Sequence, residues 1–376
     1  MSDAYIVSGR RTPVGVRGGW FAGTEIADLA APVIQTVLSD ADVSHTAVDA
    51  VIMGNALYGG GNPARVAALA ADLPECVPAL TVDSQCCAGL DAIALARSLI
   101  VSREADVVVA GGVESYSRAP IRQRRPGSPA EQPVEYARPP FTPWPDRDPD
   151  MLKSAADLAA RMKLTRQAQE AFAVASHRKA RDDHRLPEEI VPMSGHEKDE
   201  FTRNLSAKTC ARLNTLSGQE AFGVTAATTA VEADAAAAVL VVSKRWLGDR
   251  PRVVIDGSQS LGGDPMCPAL APVAAAASLL KRFGLEASEI TAVEMMEAFA
   301  VQAIACVERI GLDPECVNRR GGALARGHPI GASGAILAVR LFHDLKQSAS
   351  DAVGLAAIAA AGGIGSAMIV RGACEI

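Results

Sequence analysis

The sequence repeats itself, and this repeat constrains the fold more than any other feature of the chain. Four kinds of segment in the first part recur in the same order in the second part. The pairs are a short apolar stretch at 49–56 and 291–298, a small-residue turn with an Ala-rich helical pattern at 81–100 and 321–345, an apolar run ending in Gly-Gly at 106–112 and 355–363, and an apolar run at 236–243 and 366–371. Apolar strands that alternate with helical patterns indicate a buried sheet with helices on its faces. We therefore predict an α/β fold made of two similar halves packed together.

A segment of different character interrupts the first half. It begins near residue 117, continues through a proline-dense stretch at 126–149, and carries helical patterns, including one at 164–181 with Thr165 as the predicted N-cap. The segment is too long for a plain connection, and insertions of this kind usually form a binding surface over a rigid scaffold. The predicted division is residues 1–118 with 223–248 as the first half, 119–222 as an inserted loop domain, and 249–376 as the second half.

Composition excludes several classes of function. The chain has 376 residues, 49% of them hydrophobic, and a net charge of −6, which argues against nucleic acid as the main partner. The eight cysteines show no Cys-x-x-Cys and no zinc-like spacing, so most are expected to be small buried hydrophobes in a reducing compartment. We find no signal-peptide pattern and no apolar run that we judge long enough to span a bilayer, so we expect a cytoplasmic protein.

The repeated turns carry two reactive side chains. Cys86 lies at the first turn and His328 at the equivalent turn of the second half, each just before a helical pattern. The amides and dipole of a helix N-terminus typically lower a cysteine pKa by about one unit or more, so Cys86 is expected to be an activated nucleophile, with Cys87 as a packing residue. His328 would activate the thiol, or hold its hydrogen in the ground state, and share in binding an oxyanion. These are the minimum parts for covalent acyl transfer.

Glycines accompany this pair of turns. Gly327, which precedes His328, permits a close approach of backbone and ligand. Gly362 and Gly363 are expected to form a turn that offers free amides, or close backbone approach, near the same site. The same expectation applies to Gly111 and Gly112 in the first half.

Taken together, these segments resemble the thiolase family of acyl-CoA acetyltransferases and 3-ketoacyl-CoA thiolases over essentially the whole chain. The matching stretches are 10–15, 51–55, the Cys86 turn, 111–120, 297–300 and 327–329. The resemblance implies a thiolase-like duplicated five-layer α/β/α/β/α fold, with the inserted loop domain, in a homodimer or homotetramer. It also implies coenzyme A thioesters as substrates, no tightly bound cofactor, no metal, and no membrane partner.

The resemblance assigns roles to individual positions. The position of Cys86 carries the acyl group and that of His328 activates it, in 3-ketoacyl-CoA thiolysis or acetoacetyl-CoA formation. Guanidinium groups of the insertion suit the phosphates of coenzyme A, although a solvated loop is an equal alternative for them. These arginines are Arg122, Arg124 and Arg125. Weaker candidates for the substrate site are Met151, Ala230 and Phe299.

The chain departs from the family pattern at the chemistry of carbon–carbon bonds. Ala359 stands where the family has a second cysteine that moves the α-proton, and Met296 replaces an asparagine that positions an oxyanion-hole water. A serine of the coenzyme A site is replaced by Ala230. Loss of a positioned acid or base typically costs about 10²–10⁴ in rate, and loss of an oxyanion donor about 10²–10³. Cys316 or Cys374 could supply the missing acid, but neither lies on a matching turn.

Three functions therefore stay open from the sequence. The first is a working thiolase with a substituted proton carrier. The second is a thiolase-like acyltransferase or condensing enzyme of changed chemistry. The third is a non-catalytic acyl-CoA-binding subunit, which the retention of Cys86 and His328 disfavours.

Overall fold

The computed structural model describes residues 3–349 and 351–373, so Cys374 lies outside the described residues. The strands are β1 Ala4–Arg11, β2 Gly15–Val16, β3 Ala50–Gly54, β4 Ala79–Val82, β5 Val107–Glu114, β6 Gln123–Arg124, β7 Val134–Glu135, β8 Thr215–Ser217, β9 Val224–Thr225, β10 Ala233–Ser243, β11 Val253–Gly262, β12 Ile290–Met295, β13 Val353–Ala360 and β14 Ile364–Gly372. The helices are α1 Ile26–Asp40, α2 Pro63–Ala70, α3 Ala88–Ser102, α4 Met151–Met162, α5 Arg166–Arg181, α6 Leu186–Glu189, α7 Ala207–Cys210, α8 Ala271–Phe283, α9 Ala300–Ile310, α10 Ala323–Arg326 and α11 Ile330–Leu345.

The main sheet shows the predicted duplication. Its strand order is β12-β13-β14-β11-β1-β10-β5-β3-β4. The first strands of the two halves, β1 and β11, meet at the centre, where Tyr5 pairs with Val254 and Ile6 with Val253. Outward from this join, β10, β5 and β3 follow in the same order as their counterparts β14, β13 and β12. Both halves of the repeat therefore fold alike, as the sequence predicts.

Helices and the two halves of the sheet form five layers. Helices α3 and α11 pack on each other between the two halves, α1 and α2 cover the outer face of the first half, and α8 and α9 cover that of the second. Strand β5 shows why the strands are apolar throughout. Val108 and Ala110 face the central layer, whereas Val107 and Val109 face the outer helices.

Close backbone packing joins β5 to the central helices. Gly111 and Gly112 lie inside β5, paired with β10, so the prediction that they form a turn is wrong. They do provide close approach, because a Cβ at Gly112 would lie 1.9 Å from the carbonyl oxygen of Gly331 at the start of α11. The glycine at this strand position therefore lets α11 sit directly on β5.

The inserted segment leaves the sheet after β5 and returns at β10. The side chain of Thr165 accepts a hydrogen bond from the amide of Ala168 and caps α5, as predicted. Buried ion pairs attach the segment to both halves: Glu189 of α6 lies 2.7 Å from Arg11 of β1 and 2.9 Å from Arg340 of α11. Removing one partner of such a pair costs about 3–5 kcal/mol because the other charge is left buried and unpaired, so these positions tolerate substitution poorly.

One segment has the length and composition of a membrane-spanning helix, contrary to the sequence-based expectation. It is Gln85–Ser102, which contains α3. In the fold, α3 packs against α11 and β5 in the central layer.

Candidate active site

The turn that presents Cys86 is built from local contacts. After β4 ends at Val82, Gln85 adopts a left-handed backbone conformation with φ of +56°. Its amide and its side-chain nitrogen both donate to Asp83 Oδ1, at 2.9 and 3.0 Å. Since α3 begins only two residues after Cys86, at Ala88, the sulfur is held at the start of a helix, as predicted.

His328 reaches the same point from the other half. Gly327 has φ of +114°, a conformation that favours glycine, and the amide of His328 donates to the carbonyl of Val231 at 2.7 Å. These two constraints turn the imidazole toward the cysteine. Its Nε2 lies 3.1 Å from Cys86 Sγ. The two residues predicted to work together are therefore in contact.

Ser333 fixes the proton on the imidazole. His328 Nδ1 lies 2.7 Å from Ser333 Oγ, and Ser333 Oγ donates to the carbonyl of Pro329 at 2.9 Å. A hydroxyl has one hydrogen, so Ser333 cannot donate to both groups. His328 Nδ1–H is therefore the donor to Ser333, which leaves Nε2 without a hydrogen and able to accept the S–H of Cys86.

Burial sets the charge of this pair. It raises the pKa of Cys86 to about 12, against the opposing effect of backbone N–H groups, so the expectation of a lowered pKa is wrong. Burial also lowers the pKa of His328 to about 4. Desolvation outweighs the helix terminus because both groups lose water while the dipole supplies only partial charge. At neutral pH the pair is thus a thiol and a neutral imidazole.

Sequence comparisons agree with this geometry. The family model described as Thiolase, N-terminal domain matches residues 4–245, and that described as Thiolase, C-terminal domain matches residues 249–372. The chain belongs to the thiolase family. The resemblance inferred from the sequence is confirmed, and with it the thiolase fold.

Full-length relatives support the same conclusion. YhfS of Bacillus subtilis (strain 168), provisionally named an acetyl-CoA C-acetyltransferase, is 38% identical over 376 residues, with 98% of each chain covered. A Staphylococcus aureus (strain COL) protein, provisionally named an acetyl-CoA acyltransferase, is 36% identical over 98% of this chain and 99% of its own. The crystal structure of the Bacillus anthracis acetyl-CoA acetyltransferase matches with a TM-score of 0.90 and 30% identity, over 99% of both chains.

Backbone amides surround the sulfur of this thiolase-family chain. Gly362 and Gly363 form the predicted turn between β13 and β14, with φ of +79° and +83°. The N–H groups that favour negative charge on Cys86 are those of Cys86 itself and of Ala361. Ala361 is not among the residues that the sequence pattern predicts for the site. A backbone amide leaves no pattern of its own in a sequence. The glycine pair that follows Ala361 is the only feature of this turn that indicates free amides near the site.

The inserted segment reaches this glycine turn. A Cβ at Gly362 would lie 3.1 Å from the carbonyl oxygen of Phe141. The insertion therefore passes directly over the turn that follows β13, on the side of the molecule where Ala361 approaches Cys86.

The two residues that depart from the family pattern, Ala359 and Met296, lie on β13 and at the end of its neighbour β12. Ala359 is on β13, paired with Gly365 and half-buried, and its methyl group carries no transferable proton. Met296 directly follows β12, is buried in the central core, and donates its amide to the carbonyl of Ala357. Cys316, considered as a replacement acid, instead contacts Asp313 and Arg319.

The remaining predicted residues fall into two groups. Ala230 donates its amide to the carbonyl of Ala298, and Phe299 pairs with Thr229, so both lie close to Val231, whose carbonyl accepts from His328. The other group lies on the insertion, where Met151 begins α4, Arg122 is half-buried, and Arg124 and Arg125 are exposed. Among the described residues, no hydrogen bond joins these arginines to Cys86 or His328.

A cavity lies apart from this site. It has a volume of about 970 Å³, between the insertion and the elements β1 and α1. Its lining includes Arg10, Lys198 and Thr202, and neither Cys86 nor His328. Across residues 3–349 and 351–373, no cluster of three His, Cys, Asp or Glu side chains is placed to hold a metal ion.

Proposed function

We propose that this protein catalyses thiolase-type acyl transfer, with an acyl-enzyme on Cys86, an acyl-CoA thioester as acyl donor and coenzyme A as acyl acceptor. The observation that carries the proposal is the 3.1 Å contact between Cys86 Sγ and His328 Nε2. The bond from His328 to Ser333 supports it, because it leaves Nε2 free to take the thiol proton.

The loading step follows from these contacts. As Sγ attacks the thioester carbonyl, the S–H proton passes to His328 Nε2. The new oxyanion accepts hydrogen bonds from the amides of Cys86 and Ala361, and collapse expels the coenzyme A thiolate, which takes the proton back from the imidazolium. The thiolate forms only during attack, since the resting pKa of Cys86 is about 12.

Carbon–carbon bond cleavage makes a further demand. In 3-ketoacyl-CoA thiolysis, the bond between C2 and C3 breaks and its electron pair leaves on C2, which must then be protonated. Ala359 offers no proton at the family position, and Met296 offers no hydrogen bond from its side chain. These two residues favour, as the second candidate function, an acyltransferase or condensing enzyme that avoids α-proton transfer.

The proposal extends to the parts of the chain around the site. Residues 119–222 would act as a separate unit that covers coenzyme A, with Arg122, Arg124 or Arg125 near its phosphates. The approach of Phe141 to Gly362 supports this cover. In this proposal, residues 1–118 with 223–248 form the half that carries the nucleophile, and residues 249–376 form the half that carries the catalytic histidine. We further propose a cytoplasmic homodimer or homotetramer that binds acyl-CoA as a substrate and has no tightly bound cofactor.

The acyl-enzyme can be tested by intact mass measurement. The protein is exposed to acetyl-CoA, acetoacetyl-CoA and longer acyl-CoAs, and an adduct of the acyl mass is expected on the wild type. Cys86→Ala should abolish it, whereas Cys76→Ala, at an exposed cysteine, should not. Absence of any adduct on the wild type with every acyl-CoA would refute the proposal.

Turnover separates the two candidate functions. Coenzyme A-dependent cleavage of acetoacetyl-CoA that is lost in Cys86→Ala would indicate thiolysis, and His328→Asn should slow acyl loading by about 10²–10⁴. If the wild type loads but does not cleave, the changed-chemistry candidate is supported. Restoring the family residues, with Ala359→Cys and Met296→Asn together, should then raise thiolysis. An unchanged or lower rate would show that the site serves different chemistry.

A further inference from the structure

A buried carboxylate lies behind the Cys86–His328 pair. Glu114, the last residue of β5, is fully buried and forms no salt bridge with any described residue. Its two oxygens accept four hydrogen bonds, from Asn55 Nδ2 at 2.8 Å, the amide of Ala56 at 2.9 Å, the amide of Gly331 at 3.0 Å and the amide of Leu57 at 3.3 Å. Four N–H donors and no cation favour a carboxyl group that acts as an acceptor and is held for its geometry.

These bonds connect the two catalytic turns. Gly331 lies in the first turn of α11, three residues after His328. On the other side, the amide of Asn55 donates to the carbonyl of Val82 at 3.0 Å, the residue that ends β4 before the Cys86 turn. A single carboxylate therefore connects the backbone that follows His328 to the backbone that precedes Cys86, the second through Asn55.

The insertion joins the same network. Arg122 Nη2 donates to the carbonyl of Leu57 at 3.2 Å, and the amide of Leu57 is one of the donors to Glu114. Leu57 thus links Arg122 of the insertion to Glu114 by two hydrogen bonds, so a displacement of the insertion at Arg122 would alter the contacts of Glu114.

We propose that Glu114 is a positioning residue of the acyl-transfer site: its carboxylate sets the separation of Cys86 Sγ from His328 Nε2, and, where it is ionised, its negative charge opposes formation of the thiolate. This inference rests on the proposed function. It assigns Glu114 an action through two other residues, without contact with the reacting atoms.

Electrostatics support the second part of the inference. Burial is the main cause of the raised pKa of Cys86, and the charge of Glu114 adds to it. Burial likewise raises the pKa of Glu114 itself to about 7, opposed by the amides of Ala56, Gly331 and Leu57. Other groups that face this cluster are Asp83, whose charge acts on Cys86 and Glu114 alike, and Tyr116, whose pKa both of those groups raise.

Glu114→Gln tests both parts at once. The amide keeps the size of the side chain but removes the charge. Its NH₂ group is a donor, so it cannot accept the hydrogen bonds that the N–H groups give to that carboxylate oxygen. Acyl loading, measured by quenched-flow intact mass, should slow by about 10²-fold, as for a misplacement of about 1 Å. Alkylation of Cys86 by iodoacetamide, followed against pH, should in contrast shift to lower pH, because a negative neighbour is gone. A purely structural residue would not move these two readouts in opposite directions.

Two variants separate charge from geometry. Glu114→Asp keeps the charge but loses reach, so it should load slowly with the alkylation profile of the wild type. Glu297→Gln is the matched control. Glu297 is also buried and accepts bonds from Ser176, Asn318 and the amide of Leu324, upstream of His328. Its charge is not among the main influences on the pKa of Cys86, so its alkylation profile should stay close to that of the wild type.

The outcomes are distinguishable from failure of the proposed function. A wild type that forms no acyl adduct refutes acyl transfer, while the alkylation profiles still test the charge of Glu114. Overlapping profiles of wild type and Glu114→Gln overturn the inference, and so does loading at the wild-type rate in Glu114→Gln. If Glu114→Gln does not fold, as judged by circular dichroism, Glu114→Asp decides the positioning role by its loading rate.

Discussion

The two turns that meet at the active site occupy equivalent places in the repeat but are held differently. The Cys86 turn packs on α11 and β13, but its hydrogen bonds are mainly its own, because Gln85 donates to Asp83 and α3 follows at once. The His328 segment is fixed from outside. Its amide bonds to Val231, its imidazole bonds to Ser333, and Glu114 holds the start of α11.

This difference indicates which changes each residue tolerates. A nucleophile held by contacts two residues away keeps its place when distant elements shift. A histidine held by the chain before β10, by α11 and, through Gly331, by β5 depends on the packing of the whole central layer. The hydrogen bonds that set the cysteine position thus lie mainly within a short peptide, and those that set the histidine position come from distant parts of the fold.

Gly112→Ala breaks the packing on which the histidine depends. The added Cβ would lie 1.9 Å from the carbonyl oxygen of Gly331, and backbone must move to relieve the overlap. We expect a loss of about 3 kcal/mol in the free energy of unfolding, measured by urea denaturation. The control is Gly262→Ala, where a Cβ meets nothing within 4 Å and the change should stay within about 0.5 kcal/mol. Equal effects of the two substitutions would contradict the crowding of β5 against α11.

The pH dependence of Cys86 alkylation sharpens the contrast between the helix start and burial. The thiolate is the reactive form, so with a pKa of about 12 the rate should rise about tenfold per pH unit, or roughly a hundredfold from pH 7 to 9, without a plateau. Exposed Cys76 serves as the internal reference for the reagent in the same peptide map. A plateau below pH 8 would mean that the helix terminus, and not desolvation, controls the sulfur.

Much of the architecture is predictable because it follows from patterns along the chain. Apolar runs of strand length, each followed by a small-residue turn and a helical pattern, suffice to predict the α/β duplication. Cys86 and His328 could be paired because the same turn recurs. Two adjacent glycines, in contrast, give the same sequence pattern in a turn and in a crowded strand. The pattern therefore predicts a turn at Gly111 and Gly112, although both lie inside β5.

The properties that escaped prediction arise from residues far apart in sequence. The pKa of Cys86 is raised because packing removes water from it, which no local pattern records. The amide of Ala361 and the contacts of Glu114 with Asn55 and Gly331 likewise appear only when the two halves fold together. The roles of the inserted arginines remain predictions.

Ser333→Ala tests the external support of the imidazole. Without the hydroxyl, His328 Nδ1 loses its acceptor and the proton is free to move to Nε2, where it would block acceptance from the thiol. One such bond is worth about 1 kcal/mol, so acyl loading should slow roughly five- to tenfold. Ser333→Thr retains the hydroxyl and should stay close to the wild-type rate. If Ser333→Ala loads as fast as Ser333→Thr, the tautomer is not set by this residue.

Gln85→Gly tests the internal support of the cysteine, and the effect should be small because two local terms oppose each other. Glycine relieves the left-handed conformation at φ of +56°, which costs a non-glycine residue roughly 1–2 kcal/mol, but it removes the side-chain bond to Asp83. The free energy of unfolding should change by less than about 1 kcal/mol, with acyl loading within about twofold of the wild type. Gln85→Ala keeps the strain and loses the bond, so it should be the less stable of the two in urea denaturation. Slower loading in Gln85→Gly by tenfold or more would mean that the turn cannot hold Cys86 alone, and that both catalytic residues depend on the fold to the same degree.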